Sequence, residues 1–194
     1  MTISPDGTKA LSASSDGDVI LWDIERGRIL RRSDAHRRGI TFLATLPNWQ
    51  TALTGSMDGT IKMWDLATGT CVQTLRSHLD GVTAGAVAPG GEYFLSGGSD
   101  GTLRLWRLPS CEVVRTVQGH TARVRSVCFS GSGGFAFSSS YDRYLKAWAI
   151  PALESRTAFA ADSAIAAAAV SEKGNMVVAG DAQGCAHFLR FDGT

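Results

Sequence analysis

The stretch SMDGTIKMWDLATG, residues 56–69, sets an acidic turn, Met57-Asp58-Gly59, just ahead of a strand-like run that ends in Trp64-Asp65. Asp58 precedes Trp64 by six positions, and the same interval separates Asp16 from Trp22, Asp100 from Trp106 and Asp142 from Trp148. The four tryptophans are themselves spaced 42 residues apart. Self-similarity at a fixed period marks an array of structural units, so the unit has to be read before the chain.

Each unit reads as four short strands. In the third, strands are expected near Val82 to Ala88, Tyr93 to Gly98, Thr102 to Leu108 and Glu112 to Gln118. Pro89-Gly90-Gly91 makes the first turn, and Ser99-Asp100-Gly101 carries the Asp-Gly pair of a tight hairpin. Pro5, Pro47 and Pro89 fall at the first turn of their units, and Pro109 and Pro151 at the third. Proline cannot donate to a strand ladder, which confines it to such places. Runs such as Val19-Ile20-Leu21-Trp22 are apolar at every position instead of alternating. A sheet covered on both faces requires that pattern.

Nineteen basic and eighteen acidic residues nearly cancel over 194 residues. That balance argues against a broad footprint on nucleic acid or an anionic membrane. No window of about 18 apolar residues predicts a membrane span, and the opening MTISPDG lacks the basic and apolar regions of a signal peptide. Cys71, Cys111, Cys128 and Cys185 form no CxxC pair and are expected to be buried free thiols in a reducing compartment. No GxxxxGK[ST] phosphate loop is present.

The chain resembles a WD40-repeat β-propeller over nearly its whole length. Trp-Asp stands at 22–23 and 64–65 and has drifted to Trp106-Arg107 and Trp148-Ala149. The family's second marker, a His in the loop entering each blade, stands in Ala35-His36, Ser77-His78 and Gly119-His120, each 28 residues before the Trp of its unit. A hydroxyl lies ten residues before each Trp, at Ser12, Thr54, Ser96 and Ser138. The resemblance implies a hydrogen-bonded structural tetrad within each blade. Its members are His36, Thr54, Asp58 and Trp64, then His78, Ser96, Asp100 and Trp106, then His120, Ser138, Asp142 and Trp148. The chemistry suits that role, because buried polar groups must be paired and a closed network satisfies them together. The expected fold is all-β, a single partial propeller over 1–194. Its blades fall near 1–34, 35–76, 77–118, 119–160 and 161–194, the last degenerate and incomplete. A ring of the family's usual seven blades makes the chain the expected C-terminal part of a longer propeller, or an incomplete gene model.

Ser, His and Asp together also describe a hydrolase triad, but a nucleophilic site is built once and this set recurs three times, each time with a Trp. Histidines spaced 42 residues apart, with no HxxxH or CxxC clip, give no metal site. His187 lies outside the tetrad phase and is expected to be an exposed strand residue. In the fifth unit Ala161, Ala179, Gln183 and Leu189 stand where the tetrad members are expected. Its ending, Ala179 to Leu189, resembles the last blade of propellers attached to signalling NTPases of the NACHT and apoptotic-ATPase type.

The family resemblance implies a non-catalytic protein-interaction scaffold with no cofactor and no metal. The alternatives are a substrate-receptor subunit of a ubiquitin ligase or a sensor propeller of a signalling NTPase. The adaptor pattern Trp-Asp-x-Arg of such receptors is not met by Trp22-Asp23-Ile24-Glu25 or Trp64-Asp65-Leu66-Ala67. In this family partner contacts often come from the residues three and five after the His and from the one preceding the turn Asp. Those positions are Gly39, Thr41 and Met57, then Gly81, Thr83 and Ser99, then Arg123, Arg125 and Tyr141. Only the last set combines large and charged groups; Arg143 follows its turn, and Arg37 and Arg38 are expected to add charge on the same side. The expected partner is a protein or acidic peptide, with no nucleic acid and no membrane. Open sheet edges are expected to let the isolated chain self-associate. The expected compartment is the cytoplasm, with the nucleus as the alternative.

Overall fold

The computed structural model describes residues 1–171 and 173–191. These form nineteen strands and no helix, arranged as five antiparallel sheets that each follow chain order. The first sheet holds β1 (Thr2–Ile3), β2 (Lys9–Ala13), β3 (Asp18–Asp23) and β4 (Arg28–Asp34). The second holds β5 (Ile40–Thr45), β6 (Thr51–Ser56), β7 (Thr60–Asp65) and β8 (Thr70–Arg76). The third holds β9 (Val82–Val87), β10 (Tyr93–Gly98), β11 (Thr102–Arg107) and β12 (Glu112–Gln118). The fourth holds β13 (Val124–Phe129), β14 (Phe135–Ser140), β15 (Tyr144–Ala149) and β16 (Glu154–Ala160). The fifth has three strands, β17 (Ile165–Val170), β18 (Met176–Asp181) and β19 (Ala186–Arg190). The chain divides into two compact units, Met1–Val82 and Thr83–Thr194.

The hairpins form where the sequence supplies the turn chemistry. At the second-to-third-strand turn, Asp58 accepts the Thr60 N–H at 2.9 Å, and Gly59 closes the turn at φ 83° with its N–H on the Ser56 carbonyl. Gly59 has a second reason to be glycine. Its carbonyl takes the N–H groups of Ser77 and His78, and a Cβ there would lie 2.7 Å from the His78 oxygen. At the third turn, Asp65 accepts the N–H groups of Ala67 and Thr68 at 2.8 Å. The aspartate of Trp-Asp is thus a turn former, and the same four-residue turn survives without it at Arg107 and Ala149, where Cys111 and Leu153 N–H groups bond back to the backbone.

Burial falls from the second strand outward. β6, β10 and β14 are buried along nearly their whole length, whereas β8, β12 and β16 are mostly exposed. In the first unit Leu11, Val19, Ala35, Ala52, Trp64 and Leu66 form one apolar cluster. In the second, Leu95, Leu103, Leu105, Val124, Phe129 and Trp148 belong to one cluster. Phe137, Leu145 and Ala147 of the fourth sheet are covered in another by Ala161, Ile165, Val177 and Ala179. Fully burying a side chain of Leu or Phe size contributes about 1.5–3 kcal/mol, so these clusters hold successive sheets together. Phe188, which the strand register places where Ala147 stands one sheet earlier, is 71% exposed.

All four cysteines are free thiols, but only Cys111 is buried as expected: Cys128 is half-buried, and the expectation fails outright at two. Cys71 is exposed because it sits on the outer strand β8, and Cys185 because it lies in the β18–β19 turn.

Candidate functional site

Two constellations carry the polar chemistry of the chain. The first is the buried network. In the second sheet the Trp64 indole N–H donates to Thr54 Oγ1 at 2.9 Å, and Thr54 Oγ1 lies 2.8 Å from His36 Nε2. His36 Nδ1 lies 3.2 Å from Asp58 Oδ2 and 3.1 Å from Thr60 Oγ1. In the fourth sheet Trp148 donates to Ser138 Oγ at 2.8 Å, Ser138 Oγ lies 2.7 Å from His120 Nε2, and His120 Nδ1 lies 2.8 Å from Asp142 Oδ2. Donor and acceptor capacity orders each chain. The carboxylate can only accept, so a neutral ring turns Nδ1–H to it and leaves Nε2 to accept the hydroxyl O–H, while the hydroxyl oxygen accepts the indole N–H.

That order needs a neutral imidazole. Burial pushes the proton affinity of both His36 and His120 down, and it outweighs the opposing pull of Asp58 and Asp142. Burial pushes the Asp58 carboxyl up, yet hydrogen bonds from Thr60 and from the Arg37 N–H leave it below its ordinary value. Asp142 behaves the same way: burial raises it, while the Tyr144 N–H, His120 and the Thr121 N–H bring it down. The geometry of Ser138, His120 and Asp142 matches hydrogen-bond distances of a hydrolase triad. Ser138 and Thr54 are nonetheless 0% exposed, and each carries an indole N–H on its oxygen. An acyl donor has no approach to either hydroxyl.

The remaining expected members divide between the two units. Trp106 donates to Ser96 Oγ at 3.0 Å, and Asp100 Oδ1 takes the Thr102 N–H and O–H at 3.0 and 2.7 Å. His78 is buried in the first unit, its N–H on Gly59. In the first sheet Trp22 donates to Ser12 at 2.8 Å. The fifth sheet corrects the expectation for His187. It is half-buried and lies against the Phe159 ring, with Nε2 3.1 Å from Asp181 Oδ2. Asp181 in turn accepts the N–H groups of Gln183 and Cys185. Strand register explains the pairing. Ala179 stands opposite His187, so Asp181 is its diagonal neighbour on the same face. Ala161 and Ala179 are buried, and this sheet has a two-member His187–Asp181 contact in place of a four-member chain.

The second constellation lies at the loops of the fourth sheet. The sequence rule gives Thr41, Thr83 and Arg125 the same position. Thr41 Oγ1 lies 3.0 Å from the Gly55 oxygen and 2.8 Å from the Val82 oxygen. Thr83 Oγ1 lies 3.1 Å from the Gly97 oxygen and 2.7 Å from the Val124 oxygen. Both hydroxyls therefore staple the backbone of one sheet to that of the next. At the fourth sheet the adjacent Ser126 takes over, accepting the Ala168 N–H at 3.0 Å. Arg125 is left out of the staple and lies with its guanidinium carbon 5.1 Å from the centroid of the Tyr141 ring. Tyr141 is 48% exposed, and its N–H bonds to the Arg123 carbonyl at 3.1 Å, which ties Arg123 and Tyr141 into one loop pair. Arg143 is exposed and holds φ 73° at the position occupied by Gly59 and Gly101 in their sheets.

In the first unit Ser56 Oγ donates to the Arg38 carbonyl and the Met57 N–H bonds to Gly39, so Arg37, Arg38 and Met57 sit together. Arg37 and Arg38 are exposed and Met57 is half-buried. No group of three or more His, Cys, Asp or Glu among the described residues is placed to hold a metal ion. No helix of the described residues is long and apolar enough to cross a membrane.

The family described as WD domain, G-beta repeat matches residues 1–23, 27–65, 69–107 and 111–149. No curated protein matches the chain.

Proposed function

Since the chain belongs to the WD40-repeat family, whose members generally bind proteins or peptides and are generally not enzymes, we propose that it is a non-catalytic interaction platform. An acidic peptide, or an acidic patch of a partner protein, docks over the fourth sheet at Arg123, Arg125, Tyr141 and Arg143. The observation that carries this reading is the release of Arg125 from the inter-sheet staple and its placement across Tyr141. Arginine and tyrosine are the side chains that dominate interface energies, through forked hydrogen bonds and rigid area. Arg143 supports the same reading. A side chain kept at a positive φ, where the other turns use glycine, is strain retained at a functional edge.

The test is fluorescence polarisation with a Glu/Asp-rich peptide, joined to capture of partners from lysate. An Arg123→Glu/Arg125→Glu/Tyr141→Ala variant is expected to lose about 30-fold or more in affinity, equivalent to one strong interface residue. Binding should also weaken with salt. Peptide affinity and captured partners that are unchanged by the triple substitution would place the site elsewhere.

A further inference from the structure

The first unit holds a polar groove of about 630 Å3 beside the second sheet's buried network. Arg37, Lys62 and Arg76 all line it. The cations of β4 and its preceding turn have partners: Arg26 and Arg28 pair with Asp23, Arg32 with Asp18, and Arg31 donates to the Thr68 carbonyl. The side chains of Arg37, Lys62 and Arg76 have no hydrogen bond or ion pair with the described residues. The contrast is sharpest at Lys62. Its counterpart two periods further on, Lys146, donates to the Gly119 carbonyl at 2.6 Å.

Each cation is placed by the fold. Lys62 stands on β7 opposite Thr54, so it shares a face with the network hydroxyl and reaches toward His36. Arg76 ends β8 opposite Thr60. Arg37 follows His36, with its backbone N–H held 3.1 Å from Asp58 Oδ2. Asp58 also lines the groove, but its two oxygens already take the Thr60 N–H and O–H, the Arg37 N–H and His36 Nδ1. Among the described residues the other carboxylate lining it, Asp34, is exposed at the end of β4.

We propose that this groove binds the phosphorylated serine or threonine side chain of an extended partner segment. A phosphate monoester carries close to two charges and three acceptor oxygens, enough for an ammonium and two guanidinium groups at once, whereas a carboxylate offers two oxygens. The groove is larger than one phosphate, which leaves room for the flanking backbone. Leu79, 90% exposed and also part of the lining, gives an apolar contact for a neighbouring side chain. A bilayer surface fits less well, because Lys62 is half-buried within a concavity that a flat headgroup layer does not enter. The site is separate from Arg125 and Tyr141 and stands without that reading.

The test uses the full chain and a degenerate peptide pool with a central phosphoserine. Controls are the unphosphorylated pool, the pool with glutamate at that position, inorganic phosphate, and phosphatidylcholine vesicles doped with a phosphoinositide. Amide chemical shifts report where each probe binds. Saturable shifts at Arg37, Gly59, Thr60, Lys62 and Arg76 with the phosphorylated pool are expected, and at least tenfold weaker binding in Lys62→Met and in Arg76→Gln. Neither side chain has a hydrogen bond or ion pair among the described residues, so both variants should keep the parent melting temperature, and the wild-type shift map stands even if one does not. The proposal is overturned if the phosphorylated and unphosphorylated pools bind alike, if shifts cluster elsewhere, if only inorganic phosphate binds, or if vesicles bind and peptides do not. Arg123→Glu/Arg125→Glu is expected to leave these shifts unchanged, which separates this site from the fourth-sheet surface.

Discussion

The Thr83 hydroxyl lies 2.7 Å from the carbonyl oxygen of Val124, so a single side-chain atom joins the third sheet to the backbone of the fourth. Thr83→Val keeps the shape and removes the bond. A loss of about 1 kcal/mol is expected, the usual net contribution of such a hydrogen bond, measured as a lower urea midpoint at unchanged m-value.

Removing one end of a buried network leaves its neighbours unsatisfied. Asp58→Ala leaves His36 Nδ1 with Thr60 Oγ1 alone and strands the Arg37 and Thr60 N–H groups, and Asp142→Ala strands His120 Nδ1 and the Thr121 and Tyr144 N–H groups. Each should cost about 1–3 kcal/mol in chemical denaturation. Unchanged midpoints for both would contradict a structural role for the networks.

The pH dependence has a definite sign. Burial lowers the folded-state pKa of His36 and His120 below the ordinary 6.5. Between the two values the unfolded chain binds more protons than the folded one, so stability rises with pH and is lost on acidification below about 6.5. The slope is at most about 1.4 kcal/mol per pH unit for each histidine. Asp58 and Asp142, lowered from 3.8, add a further loss only at still lower pH. Melting temperatures recorded from pH 8 to 5 should be flat at the upper end and fall below about 6.5; a flat profile throughout would show both rings to be protonated or exposed.

Arg143→Gly separates stability from binding. Relieving a non-glycine residue at φ 73° should stabilise the fold by about 1 kcal/mol or less, since glycine gives back some of the gain as chain entropy. The same change should weaken acidic-peptide binding. A variant that is both more stable and equally tight would remove Arg143 from the interface.

Thiol reactivity should divide by burial. Cys71 and Cys185 are exposed, whereas burial raises the Cys128 pKa to about 11 and also raises that of Cys111. A maleimide at pH 7.5 should label Cys71 and Cys185 within minutes and the other two only on unfolding. Fast labelling of Cys128 in the native state would contradict its placement.

The strands and the hydroxyl, His, Asp and Trp positions were legible because turns and period are local: Asp-Gly fixes a hairpin, and the register then fixes what stands opposite. Strand ends moved by only a residue, as at Leu108, which falls in a turn with its N–H on Glu92. What the sequence hid depends on neighbours distant in the chain. Thr41 and Thr83 look like candidate contacts until their acceptors on other strands are seen. His187 looks unpaired because its partner is a diagonal neighbour, though the six-residue step from Asp181 could have signalled it. Cys71 and Cys185 were misjudged because a cysteine's burial depends on which strand or turn carries it.

Two histidines, His36 in the first unit and His120 in the second, each belong to two sheets at once. The His36 N–H is tied to Gly17 in the turn of the first sheet while its ring is locked into the second, and His120 is tied in the same way to Gly101 and to the fourth sheet. Within each unit the paired sheets are therefore joined like teeth of a zipper that interlock in one direction: melting the sheet that holds the ring's backbone frees the loop that presents the ring, so loosening passes to that neighbour first.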